Sequence, residues 1–167
     1  GDFRYYYEIY DDVVAFARVQ GGHMFGLGGY QLRVTDMFNL GPNLVRGFAP
    51  GGIGPRDISN PTSLKGNAIG GTTYFGGTLE AQFPIWGIPK EIGLRGAVFA
   101  DAGTLYSYKG PTNFTNYTDF VNYGPDVIAA NGGCVPALIT APYYGPGSCL
   151  TVGGDTSKIR SSVGGSI

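Results

Sequence analysis

Polar and apolar residues alternate with a period of two along much of this chain, and helical periodicity is missing. From Phe3 to Tyr10 the odd positions are Phe3, Tyr5, Tyr7 and Ile9, and the even ones include Arg4, Tyr6 and Glu8. After Asp11-Asp12, the run Val13 to Gln20 sets Val13, Ala15, Ala17 and Val19 against Val14, Phe16, Arg18 and Gln20. Two such runs joined by an acidic pair predict a tight hairpin. Three more strands are predicted over Thr72 to Phe83, Ile92 to Gly103 and Lys158 to Ile167. Eight charged residues lie inside these five runs (Arg4, Glu8, Arg18, Glu80, Arg95, Asp101, Lys158, Arg160), each on the phase opposite the apolar one. The stretch from Pro89 to Ala97 could pass for a helix, but Gly93 and Gly96 make it a poor one.

The connections alternate in length. Asp11-Asp12 and Pro84 to Glu91 are short, whereas 21–71 and 106–157 run to about fifty residues each. Loops beyond about 15 residues are uncommon in compact soluble domains. Short turns on one side and long loops on the other are the habit of outer-membrane barrels, whose strands of ten to twelve residues cross the bilayer at a tilt. A soluble β-sandwich also alternates. Small side chains such as Ala15, Ala17, Gly77 and Ala81 would pack a sandwich core poorly, but a lipid face tolerates them. About five strands cannot close a transmembrane barrel, since about eight is the minimum. The expected fold is therefore all-β: an antiparallel transmembrane β-barrel segment occupying residues 1–167, with two long extracellular loops.

Composition narrows function. Only 14% of the 167 residues are charged, 14% are aromatic, and Gly numbers 30. The 12 Tyr and 10 Phe exclude disorder for want of hydrophobes. A net charge of −1 argues against nucleic acid as a partner, because neutralising phosphates needs excess Lys and Arg. No apolar run is long enough for a transmembrane helix. Gly-Asp-Phe at the start is neither a signal peptide nor an initiator sequence, so a processed chain or fragment is expected. Catalytic chemistry is thinly provided. His23 is the only His, and its neighbours Gly22 and Met24 offer no nucleophile, so it reads as a rim residue. No phosphate-binding loop exists, and the Gly-Gly pairs at 21–22, 28–29, 51–52 and 132–133 read as turns. No enzyme activity, cofactor or metal site is expected. The sequons at Asn113 and Asn116 are treated as chance. Phe83 and Trp86, beside a short turn, fit the aromatic girdle of a membrane interface, or simply the core of a soluble hairpin.

One ordered set of motifs goes further. The first long loop carries Asn43-Leu44-Val45-Arg46-Gly47-Phe48, then Gly51-Gly52-Ile53-Gly54-Pro55-Arg56-Asp57. The third run ends in Thr78-Leu79-Glu80-Ala81-Gln82-Phe83-Pro84. The fourth holds Phe99-Ala100-Asp101-Ala102-Gly103, and Arg160-Ser161-Ser162-Val163-Gly164 opens the fifth. Over nearly its whole length the chain resembles the bacterial surface antigen superfamily of outer-membrane barrels, and within it the alphaproteobacterial branch of outer-membrane protein assembly factors. The resemblance implies a barrel of about sixteen strands in the Gram-negative cell outer membrane, with the Arg loop as the sixth extracellular one. The family's periplasmic POTRA repeats are not in this chain. It also implies function: promoting folding and insertion of outer-membrane proteins, with the lipid bilayer, unfolded barrel precursors and accessory assembly lipoproteins as partners. A related transporter of a protein substrate is the alternative, and a passive porin a weaker one.

From composition alone Arg46 is a solvated loop arginine. The resemblance implies instead that it folds into the lumen and pairs with Glu80 and Asp101. A planar guanidinium with five donors suits two carboxylates. Gly47 would then allow a tight turn against the wall, Phe48 would wedge the loop tip, Phe99 would form an apolar platform, and Gly103 would leave space for the tip. Cys134 and Cys149 are the only cysteines. In a cell-surface loop they are expected to form a disulfide. A metal site would want further His or Cys nearby, and a redox pair closer spacing.

Overall fold

The structure, a computed structural model, describes residues 1–59, 66–85, 87, 93–112, 150 and 152–167. Strands β1 (Asp2–Tyr10), β2 (Val13–His23), β5 (Thr73–Pro84), β6 (Arg95–Tyr106) and β8 (Arg160–Ser166) form one antiparallel sheet in the order β1-β2-β5-β6-β8. These are the five runs that alternation predicts. Short strands β3 (Arg56–Asp57), β4 (Asn67–Ala68) and β7 (Val152–Gly153) form a second, three-stranded sheet in the order β4-β3-β7. Alternation could not reveal them, because a two-residue strand has no period. Among the described residues no helix is long and apolar enough to cross a membrane, and the helical content is two single 3-10 turns, Leu27–Gly29 and Val34–Asp36.

The β1–β2 hairpin turns at Asp11-Asp12, where Asp12 takes φ +66°, a left-handed conformation that Asp tolerates. β6 and β8 start later than expected, at Arg95 and Arg160, and two strands run past their expected ends. β2 continues through Gly21, Gly22 and His23, which pair with Phe75, Tyr74 and Thr73. The first loop therefore begins at Met24 and not at 21, and Gly21-Gly22 is no turn. Gly22 serves close approach: a Cβ there would stand 2.5 Å from Tyr74 Cε1 and 3.2 Å from Phe38 Cζ. β6 likewise runs to Tyr106, past the expected end at Gly103, because Thr104, Leu105 and Tyr106 pair with Phe75, Tyr74 and Thr73. The second long loop therefore begins after Tyr106.

The two faces of the large sheet differ in kind. One carries Tyr5, Ala17, Leu79, Val98 and Val163, large apolar side chains exposed beside small ones. The other carries Arg18, Glu80, Asp101 and the packed interior. Pairing is continuous across the sheet: Ala17 faces Leu79, Leu79 faces Ala100, and Ala100 faces Val163. Among the described residues nothing covers the apolar face, so the core they form does not lie there. It lies on the polar face near one end of the strands. Met37, Leu44, Val45, Ile53 and Ile69 of the first long loop are buried with Leu105 of β6, and Phe38, Leu40, Phe48 and Tyr74 pack around the central cluster. The loop is thus a folded plug whose apolar residues have only the inner wall to bury against.

Candidate functional site

The first long loop is fixed to the wall at several points. Phe38 forms an antiparallel bridge with Gly71, and its ring meets Tyr74 edge-on at 4.7 Å. Leu40 bridges Ile53, closing the segment between them into a compact excursion. Within it, the Gly41 carbonyl accepts the N–H groups of both Leu44 and Val45 at 3.0 Å, a tight turn that drives Leu44 to Arg46 at the wall. Gly41 itself leaves no room for a Cβ against the Ala49 carbonyl.

Four consecutive residues then make the attachment. The Asn43 carbonyl accepts Gln20 Nε2 of β2 at 3.2 Å. Leu44 enters a notch in the sheet formed by paired Gly76 and Gly103, where an added Cβ would come within 2.6 and 2.8 Å of the leucine side chain respectively. Val45 is fully buried. Arg46 completes the set. Its main-chain N–H donates to Asp101 Oδ2 at 3.0 Å, its Nε to the same oxygen at 2.8 Å, and its Nη2 to Oδ1 at 2.9 Å. The remaining arm, Nη1, donates to Glu80 Oε2 at 2.5 Å.

Register explains why one arginine serves both carboxylates. Glu80 of β5 faces Phe99 of β6, and Thr78 faces Asp101. The two acids are therefore diagonal neighbours on one face, about 7–8 Å apart at the backbone. That is too far for them to bond each other, and suits a fork whose two edges point in different directions. Phe99, between them, lies under the guanidinium with its ring centroid 3.6 Å from the Cζ, a cation–π contact. Gln82 Nε2 donates to Glu80 Oε1 at 2.9 Å, which leaves Oε2 for the arginine. The hydrogen bonds to Asp101, and then to Glu80, push the Arg46 pKa above the ordinary guanidinium value against the opposing effect of burial. The cation is permanent at any working pH.

The other expected residues fall as follows. Gly47 has φ +88° with open space where a Cβ would stand, so its backbone conformation, and not close approach to the wall, favours glycine. The Phe48 side chain packs beside the core that Leu44, Val45 and Ile53 of the loop form with Leu105 of β6. Gly103 makes room for Leu44, which the sequence reading did not single out. His23 ends β2 at the rim, with Nδ1 2.7 Å from Thr73 Oγ1. Phe83 lies in β5, opposite Gly96. Trp86, Cys134 and Cys149 lie outside the described residues. Among the described residues no cluster of three or more His, Cys, Asp or Glu is placed to hold a metal ion.

Sequence reasoning missed several further attachments. Leu44, Gly76 and Gln82 carry no motif that distinguishes them. The one available signal was the Gly76-Gly77 pair inside a strand, which marks a close approach. Arg56 donates from Nη1 to the Gly66 carbonyl at 3.0 Å and from Nη2 to the Gly51 carbonyl at 2.9 Å, binding the 51–57 segment to its neighbours. Because β3 pairs with both β4 and β7, this segment also joins the two long loops. Asp155 accepts the main-chain N–H groups of Ser107 and Tyr108 at 2.5 and 3.0 Å, fixing the chain beyond β6, where Ser107 takes φ +66°.

An antiparallel sheet with an uncovered apolar face, a polar inner face and an interior loop pinned by a half-buried arginine to a buried aspartate defines a segment of a transmembrane β-barrel wall. Its long loop folds into the lumen. The chain belongs to the Omp85 superfamily, whose domain matches residues 1–167. It is similar to the outer membrane protein assembly factor BamA of Neorickettsia risticii (strain Illinois), at 39% identity over 87 residues, 52% of this chain and 11% of that protein. Its fold is similar to part of the crystal structure of BamA from Haemophilus ducreyi lacking POTRA domains 1–3: TM-score 0.61, 21% identity, covering 98% of this chain and 27% of that one. The chain thus spans about a tenth of the matched curated relative. Its place is the outer membrane of a Gram-negative bacterium.

Proposed function

We propose that this chain supplies the loop-bearing part of the barrel of an outer-membrane protein assembly factor, which promotes folding and insertion of barrel precursors. The observation that carries this reading is the Arg46 fork, which grips Asp101 and Glu80 from within the lumen. A passive pore gains nothing from tying an interior loop to its wall by a part-buried ion pair. A barrel whose wall must keep a defined shape while a neighbouring seam opens does gain from it. The work is non-covalent. Precursor strands add to an open sheet edge by β-augmentation, and the nearby bilayer is thinned. Arg46, Glu80 and Asp101, supported by Gly47, Phe48, Phe99 and Gly103, hold the loop in place. The partners are the outer-membrane bilayer, unfolded precursors and accessory assembly lipoproteins.

The test uses the full-length protein in vesicles, supplied with an unfolded barrel precursor, with folded precursor read as the heat-modifiable gel band. Arg46→Ala and Asp101→Ala should both slow the appearance of that band. Full activity in both would remove the proposed role of the loop. Translocation of a soluble substrate with no effect on barrel folding would instead make the protein a transporter. The two long loops belong outside the cell in this reading, so Cys134 and Cys149 pair as a disulfide there. Non-reducing peptide mapping should return the linked pair, and alkylation of both thiols without reduction would overturn it.

A further inference from the structure

We propose that the tip Phe25–Tyr30, where the chain leaves β2, inserts into the interfacial layer of the outer leaflet and anchors the base of the first long loop to lipid. Three large side chains stand out within six residues there: Phe25 is 68% exposed, Leu27 75% and Tyr30 83%. Isolated exposed hydrophobes need no explanation, but a cluster of this kind marks a contact surface.

The occupant follows from position and charge. Val19, Gly21 and His23 lie on the outward phase of β2, in line with the lipid-facing Ala15 and Ala17. The Phe25 ring continues that line, stacked on His23 with centroids 6.2 Å apart. Departure from the sheet is fixed, because Met24 N–H donates to the Thr72 carbonyl at 2.9 Å. The tip then folds on itself. Gly28 and Gly29 take φ +66° and +80°, and Gly26 lies so close to the Tyr30 carbonyl that no Cβ would fit. The result is a compact apolar knob. The part of the loop that turns into the lumen begins later, with Met37 the first fully buried residue after it.

No Asp, Glu, Lys or Arg occurs from Val19 to Leu32, and Arg33 follows at the edge. An aromatic and aliphatic tip without charge, bounded by a basic residue, is the composition of an interfacial anchor. Within the tip only glycine separates the three side chains, and the polar residues Gln31 and Arg33 follow at one edge, as at a bilayer interface, whereas a protein-docking patch is ringed by a polar rim. The surface is therefore continuous with the barrel's lipid-facing wall. The proposal rests on the barrel reading and not on the assembly function.

Photo-crosslinking tests it. Benzoylphenylalanine is placed singly at Leu27, Tyr30, Leu79 and Asn67 of the full-length protein, reconstituted in phosphatidylethanolamine–phosphatidylglycerol vesicles. All four side chains are exposed, or point outward, so folding should survive. Illumination should add the mass of one phospholipid at positions 27, 30 and 79, and none at 67. A lipid adduct at 79 with none at 27 and 30 would overturn the anchor and leave the barrel wall standing, as would crosslinks from 27 or 30 to another part of the protein. No lipid adduct at 79 would overturn both.

Discussion

Replacing Arg46 by Ala isolates the contribution of the lumen fork. Asp101 is 3% exposed and accepts three hydrogen bonds from Arg46, of which the substitution removes two and leaves the main-chain N–H in place. Breaking one side of a buried pair costs about 3–5 kcal/mol, because the partner charge stays behind without compensation. The Arg46 side chain is 35% exposed and that of Glu80 14%, so water screens part of the second ion pair. The loss should therefore fall at the low end, about 3 kcal/mol. The cation–π contact with Phe99 adds on the order of 0.5–1 kcal/mol. The assay is urea denaturation of the full-length protein in lipid vesicles, read as loss of the heat-modifiable gel band. Much of the Arg46→Ala loss is the penalty on an orphaned Asp101. Adding Asp101→Ala should then cost far less in that background than in the native one, with a coupling on the order of 2 kcal/mol. Arg46→Lys should recover only part of the loss, because one ammonium cannot form the fork. An unchanged midpoint for Arg46→Ala, or additive effects in the double variant, would refute the reasoning.

Three further outcomes follow from the same geometry. Glu80→Ala should cost less than Asp101→Ala, about 1–2 kcal/mol against about 3, since Glu80 takes one bond from Arg46 and is less buried; the reverse order in urea midpoints would contradict the assignment of Asp101 as the main anchor. Gly103→Ala sets a Cβ 2.8 Å from Leu44 Cγ and should destabilise by about 1–3 kcal/mol through overpacking. Leu44→Ala in that background should recover part of this loss, and no recovery would show that the notch is not what Gly103 provides. Asp155→Ala should speed amide exchange at Ser107 and Tyr108, which lose their acceptor, with unchanged exchange counting against that role.

The sequence alone determined the wall. A β-strand turns its side chains to opposite faces with a strict period of two, so eight charges on the phase opposite the apolar residues sorted both faces without any knowledge of pairing. Exposed Tyr5, Leu79 and Val163 on one side, with Glu80 and Asp101 on the other, follow from that periodicity. Strand ends were less legible. Gly21-Gly22 carries turn composition, yet the Tyr74 and Phe38 rings call for glycine inside a strand. Arg46 as the partner of Glu80 and Asp101 came from the likeness of an ordered motif set to a known family, because pattern alone leaves a loop arginine in solvent.

Only the tertiary structure decided the rest. The β5–β6 register makes Glu80 and Asp101 diagonal neighbours with Phe99 between them, and a slip of two residues would preserve both faces while either parting the acids or setting them directly opposite each other. It also aligns Gly76 with Gly103 to make the notch for Leu44, and in the second sheet β3 takes up β7 from a distant loop. The core lies in the loop and not between strand faces. A wall with lipid on one side can bury protein only on the other, and which loop residues reach it depends on contacts far apart in the chain that no local period encodes.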